Sequence, residues 1–132
     1  MGAGQPAEKQ QDFKPSSDRN GNFTLPPDTA FKAIFYANAA DRQDLRLFID
    51  DAPEPAASFT GNSDDGVRLF TLNSKSGKIR IDASANGRKS ATDARLAPLS
   101  AGDTVWLGWL GAEDGADADY NDGIVILQWP VT

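Results

Sequence analysis

From Asn22 onward, short apolar runs recur between turn signals, and this rhythm restricts the chain to an antiparallel all-β fold. The runs are Phe23–Leu25, Phe31–Tyr36, Leu45–Ile49, Ser58–Thr60, Val67–Leu72, Ile79–Ser84, Val105–Leu110 and Ile124–Trp129. Several alternate with period two. In Leu45-Arg46-Leu47-Phe48-Ile49-Asp50 the odd positions are apolar, and Lys78-Ile79-Arg80-Ile81-Asp82 repeats the pattern. Such strands put one face on a core and the other in water. The separators Pro26-Pro27-Asp28, Asp51-Ala52-Pro53, Gly61 to Gly66, Ser76-Gly77 and Asn86-Gly87 are turn chemistry. Their spacing predicts a β-sandwich of about nine short strands. Only Ala91–Leu96 reads as a short helical turn, and no internal repeat is visible.

With 132 residues the chain is expected to form one domain. Residues 1–21 are rich in Gln, Lys, Ser and Pro and read as a flexible arm, leaving residues 22–132 as the folded unit. The arm has no apolar stretch of the kind a secretory signal needs, so the chain is expected to be made in the cytoplasm. No segment approaches the roughly 18 apolar residues of a membrane span, so membrane insertion is not expected.

Composition then narrows the chemistry. The chain has no Cys and no His, which removes disulfides, Cys-ligated zinc, thiol nucleophiles and serine–histidine catalysis. Its formal charge is -6, and the imbalance is local: residues 1–95 are neutral overall, while residues 96–132 carry six acids and no base. Without a basic stripe, nucleic acid is not an expected partner. The expected partner is a cation, or something reached through one.

The excess is concentrated in Glu113-Asp114-Gly115-Ala116-Asp117-Ala118-Asp119-Tyr120-Asn121-Asp122, which holds five carboxylates and one side-chain amide. Like charges about 4 Å apart repel by roughly 4 kcal/mol per pair at an effective dielectric near 20, so a compact loop of this kind calls for a cation. All donors are oxygen, which favours Ca²⁺ over Mg²⁺, and five carboxylates suffice for more than one ion. The plain alternative is a solvated acidic turn. Against it, the alternation Asp117-x-Asp119-x-Asn121 puts donors on one side of an extended backbone. An EF-hand is excluded, because its Gly and Glu positions are occupied by Asp122 and Gln128 and the flanks read as strands.

The stretch from Glu113 through Asp122-Gly123 to Gln128-Trp129-Pro130 resembles the C-terminal signature of the LecB-type bacterial calcium-dependent lectins, the fucose-binding lectin II family. Phe23-Thr24-Leu25-Pro26, Ala37-Asn38-Ala39-Ala40, Leu72-Asn73-Ser74 with Gly77-Lys78, and Asn86-Gly87-Arg88 agree in order, so the likeness covers residues 22–132. The resemblance implies a β-sandwich lectin with two adjacent Ca²⁺ ions per protomer that coordinate sugar hydroxyls directly. It implies Asn38, Glu113, Asp117, Asp119, Asn121 and Asp122 as calcium ligands. The family adds a terminal carboxylate from a partner chain; here that group belongs to Thr132, bulkier than the family's usual Gly. A homodimer is therefore expected, with a tetramer as the alternative.

The same resemblance implies that Asp114 accepts a hydrogen bond from a sugar hydroxyl, and that Asn38, Asp117, Asp119 and Asp122 meet the sugar as well as the metal. Ala39-Ala40-Asp41 occupies the loop that tunes monosaccharide preference in the family. Ala39 lacks the hydroxyl with which some members hold a fucose-type ligand, so the chain is similar to the mannose-preferring branch, with D-mannose expected ahead of L-fucose. Trp106, Trp109 and Trp129 lie in apolar strands and read as core or dimer interface rather than as sugar platforms. The expected function is a non-enzymatic lectin acting outside the cell or at its surface. The alternatives are a calcium-rigidified structural domain and, less favoured, a carboxylate glycosidase, whose two carboxylates would face each other across a cleft.

Overall fold

The structure is a computed structural model that describes residues 13–99, 101–102, 104–115 and 120–131. Its strands are β1 (Ser16–Ser17), β2 (Asn22–Thr24), β3 (Ala30–Ala37), β4 (Gln43–Ile49), β5 (Ala57–Gly61), β6 (Val67–Asn73), β7 (Lys78–Ala85), β8 (Arg88–Lys89), β9 (Ala91–Pro98), β10 (Trp106–Glu113) and β11 (Gly123–Trp129). They form two antiparallel sheets, one in the order β1-β2-β7-β4-β5 with β8 also paired to β7, the other in the order β6-β3-β11-β10-β9. Among the described residues there is no helix, hence none long and apolar enough to cross a membrane.

The alternation in the sequence becomes the division between core and surface. Phe31, Ala33 and Phe35 of β3, Leu45 and Leu47 of β4, Ile79 and Ile81 of β7, and Val125, Leu127 and Trp129 of β11 are buried in one cluster, while the residues between them are more exposed. β3 packs on β5, and β11 on β4, across the gap between the sheets. Burying each large apolar side chain contributes roughly 2 kcal/mol, and a one-residue slip would turn a whole row outward, so register is tightly specified.

Two segments differ from the sequence reading. Ala91–Leu96 is not a helical turn but the greater part of β9, paired residue for residue with β10 from Ala91↔Glu113 to Pro98↔Trp106. The edge of the second sheet offers this segment a full ladder of backbone partners, and that outweighs the local helical preference of Ala, Arg and Leu. The fold also begins before residue 22. Ser16–Ser17 pairs with Phe23–Thr24, and the turn between them is closed by Asp18, whose carboxylate accepts from the Asn20 and Asn22 N–H groups at 2.9 and 3.0 Å. Two serines carry no apolar signal; the pairing is held by the Asp-capped turn.

The strand ends that matter for function share one end of the sandwich. β3 leaves at Ala37, β4 enters at Gln43, β10 leaves at Glu113 and β11 enters at Gly123. Ala37 pairs with Gly123, Ala112 pairs with Gly123, and Gln43 pairs with Ala85 beside the β7–β8 hairpin. The loop after β3, the β10–β11 loop and the 86–87 hairpin therefore cluster.

Candidate metal and sugar site

The last turn of β10 sets the geometry. Glu113 is buried at 5% exposure, and its carboxylate lies under the loop: Oε2 accepts from Gly115 N–H at 3.0 Å and Oε1 accepts from Tyr120 N–H at 3.1 Å. A glutamate held this way braces both limbs of the loop. The return limb runs so close to β10 that a Cβ on Gly111 would overlap the Tyr120 carbonyl oxygen, so only glycine fits there.

Asp122 is tied three ways. Its N–H donates to Ala112 O at 2.9 Å, its carbonyl accepts from Asn38 N–H at 2.9 Å, and its Oδ2 accepts from Asp114 N–H at 2.9 Å. The second bond brings the loop after β3 against the acidic loop. Burial pushes the Asp122 carboxyl above the ordinary 3.8; the N–H of Asp114 pulls the other way, and the Asp114 carboxylate adds to the rise.

Glu113, Asp114 and Asp122 each offer a carboxylate oxygen, and the three oxygens lie within 4.8 Å of one another. Ala39, Ala40 and Asp41 complete a cavity of about 300 Å³ over this group, together with Gly115. The loop that carries them is pinned: Ser63 N–H donates to Ala39 O at 2.9 Å, and the Asn86 amide donates to Asp41 Oδ2 at 3.4 Å. Three hard oxygen donors packed this closely repel unless a cation joins them, so the residues fit a calcium-type ion.

The structure thus gathers Asn38, Ala39, Ala40, Asp41, Glu113, Asp114 and Asp122 at one place. Asn121 is exposed beside Asp122. Asp117, Asp119 and Thr132 lie outside the described residues. None of the tryptophans lines the cavity: Trp129 is buried, Trp106 stacks on it with centroids 6.5 Å apart, and Trp109, four positions before Glu113 on β10, is 37% exposed. A larger depression of about 700 Å³ lies on the outer face of the first sheet, but the Arg46–Asp44 and Arg80–Asp82 pairs that border it satisfy each other.

Residues 23–131 match the fucose-binding lectin II (PA-IIL) family. The chain belongs to that family. Among curated protein sequences none matches. Solved structures agree with the assignment. The C-terminal domain of the BC2L-C lectin from Burkholderia cenocepacia is 39% identical, with a TM-score of 0.79 over 88% of this chain and 100% of that domain. The Chromobacterium violaceum lectin CV2L, solved with α-methyl-fucoside, and the Ralstonia solanacearum high-affinity mannose-binding lectin are each 38% identical, with TM-scores of 0.78 over 86% of this chain and 99% of theirs.

One residue of this lectin's site escaped the sequence reading. Gln43 is fully buried, and its amide donates to Asp114 Oδ2 at 2.8 Å and to Asp41 O at 3.1 Å. A polar residue on the inward parity of β4, where Leu45, Leu47 and Ile49 are apolar, was the available signal.

Proposed function

We propose that this fucose-binding lectin II family member binds saccharides through calcium, two ions per protomer, and prefers D-mannose and mannosides to L-fucose. The observation that carries the proposal is the group of three carboxylates, Glu113, Asp114 and Asp122, within 4.8 Å beneath the Ala39-Ala40-Asp41 loop. In this reading Asn38, Glu113, Asp117, Asp119, Asn121 and Asp122 hold the ions, with the Thr132 terminal carboxylate reaching in from a partner chain. Calcium, when bound, supplies coordination positions for vicinal hydroxyls and polarises their protons. Asp114 then accepts a hydroxyl proton in a charge-assisted hydrogen bond, while Gln43 holds its other side.

The mannose preference rests on Ala39, which offers no hydroxyl to a fucose-type ligand. It is in keeping with relatives of the two kinds, one solved with α-methyl-fucoside and one named for mannose. A glycosidase reading is disfavoured: the carboxylates share one loop, and metal ligation would keep them ionised, leaving no general acid. The site of action follows from the ligand, since mannosylated glycans lie outside cells or on their surfaces.

A homodimer is part of the proposal. Leu69, Ile34, Ile126 and Trp109 stand in register across β6, β3, β11 and β10, with Val67, Tyr36 and Ile124 beside them. Val67 and Leu69 are 61% and 59% exposed. Four strands of this length make a face of roughly 20 by 23 Å, a little over half of the roughly 800 Å² that one side of a standard interface buries. An apolar band of this kind complements itself about a two-fold axis.

The test is a glycan array with calcium and again after chelation. Binding to mannosylated glycans, weaker binding to fucosylated ones, and loss of both with chelator is the expected result. Binding that survives chelation, or fucose bound more tightly than mannose, overturns the respective part of the reading.

A further inference from the structure

A second cleft opens on the other side of Asp114. It measures about 540 Å³ and lies between the Glu113–Gly115 limb and the β7–β8 hairpin, whose Asn86, Arg88, Lys89 and Ser90 form the opposite wall. Glu113, Asp114 and Gly115 line both this cleft and the 300 Å³ cavity, so the two adjoin with Asp114 between them.

The hairpin is built to hold this wall in place. Asn86 and Gly87 both have positive φ, 55° and 76°, as a two-residue type I′ turn requires. The Asn86 amide reaches Asp41 Oδ2 at 3.4 Å, fastening the turn to the loop over the acidic site. Arg88 is paired with Ala85, whose side chain is inward and 5% exposed, so Arg88 takes the cleft side of the strand. Ser90, two positions on, returns to that side. Lys89 pairs with Ser84 and stands on the cleft's outer rim.

The chemistry of this wall is opposite to that of the acidic loop. Arg88 and Lys89 are exposed and enter no ion pair among the described residues. Ser90 is 7% exposed, and its hydroxyl is buried without a hydrogen-bond partner. A planar guanidinium with free donors is suited to a carboxylate or sulfate, which it engages through two parallel hydrogen bonds.

We propose that this cleft is a second saccharide subsite, taking the sugar residue next to the one held at the acidic loop and favouring an anionic substituent there through Arg88, with Lys89 adding positive potential. The proposal rests on the lectin reading above and names a ligand class beyond it: mannosides whose second residue is a uronic acid or carries a sulfate.

Calorimetry with excess calcium tests it, using methyl α-D-mannoside as the reference and mannosyl disaccharides whose second residue is neutral, carboxylated or sulfated. The wild-type lectin should bind at least one anionic disaccharide about three- to tenfold more tightly than its neutral counterpart, with the advantage shrinking as salt is raised. Carboxylate and sulfate are separate arms, and either one meets the expectation. Arg88→Gln should bring the anionic-to-neutral ratio close to one, and Arg88→Lys should restore part of it. Equal affinities for neutral and both anionic disaccharides in the wild-type protein overturn the subsite, as does an anionic advantage that persists in a double Arg88→Gln, Lys89→Gln variant. Absence of calcium-dependent methyl mannoside binding is a different failure: it overturns the lectin reading, and the subsite with it.

Discussion

The side-chain amide of Gln43 donates to Asp114 Oδ2 at 2.8 Å, joining the first residue of β4 to the acidic loop across 71 positions of sequence. The same amide donates to Asp41 O at 3.1 Å, so one buried side chain fixes both the Asp114 carboxylate and the loop above it. Its Oε1 is buried with no partner. Gln43→Leu removes the donor and also the orphaned acceptor, beside Leu45, so stability should change by no more than about 1 kcal/mol. Mannoside affinity should fall about tenfold, because Asp114 loses the bond that orients it. Calorimetry with a parallel thermal melt checks this, and unchanged affinity would show that Gln43 is only a filler.

Asp122 yields a prediction of opposite sign for stability and binding. Burial raises its carboxyl above 3.8 in the folded chain, so near neutral pH the charged form penalises the metal-free fold, and the penalty is relieved as pH falls through the raised value. Asp122→Asn removes the charge yet keeps an oxygen for Asp114 N–H. In excess chelator at pH 7 the variant should melt at a higher temperature than the wild type, while the stabilisation by added calcium should disappear. A lower melting temperature in chelator would contradict the assigned cause.

What was legible in the sequence was whatever is local. Lys78–Asp82 alternates, so β7 could be read from its own residues, and Glu113, Asp114 and Asp122 are near enough in the chain to be seen as one group. Strand β9 was not legible, because Ala91–Leu96 has no alternating apolar pattern and its conformation comes from the ladder β10 provides. Ser16–Ser17 likewise depends on its partner strand and on a capped turn. Gln43 was half legible: its inward parity flags a polar residue in a core row, but nothing local says that its partner is Asp114.

The Asp18 turn predicts a pH dependence for the first strand. Its carboxyl is held below 3.8, first by the Asn22 side-chain amide at 2.9 Å, with further help from backbone N–H groups. A folded-state value below the unfolded one means that the contribution is complete above 3.8 and is lost as pH falls through the lowered value. Because the group is exposed, the contribution is only about 0.5 kcal/mol after screening. Asp18→Asn should therefore lower the denaturation midpoint slightly at pH 7, and the two proteins should converge at a pH well below 3.8. A difference that persists unchanged in acid would mean that the charge plays no part.

Leu69 tests the assembly. It stands 59% exposed in the row Leu69-Ile34-Ile126-Trp109, on the sheet face away from the core. In a dimer built on that face, Leu69→Lys buries a charge in the interface without a partner, a penalty of several kcal/mol spread over both copies. The free protomer carries the lysine in water at little cost. Sedimentation should show a dimer for the wild type and a monomer for the variant at micromolar concentration, with a similar monomer fold by circular dichroism. Binding to a dense mannosylated surface should weaken by more than binding to soluble methyl mannoside, because the second site no longer rebinds at high effective concentration. A variant that remains dimeric would move the interface to another face.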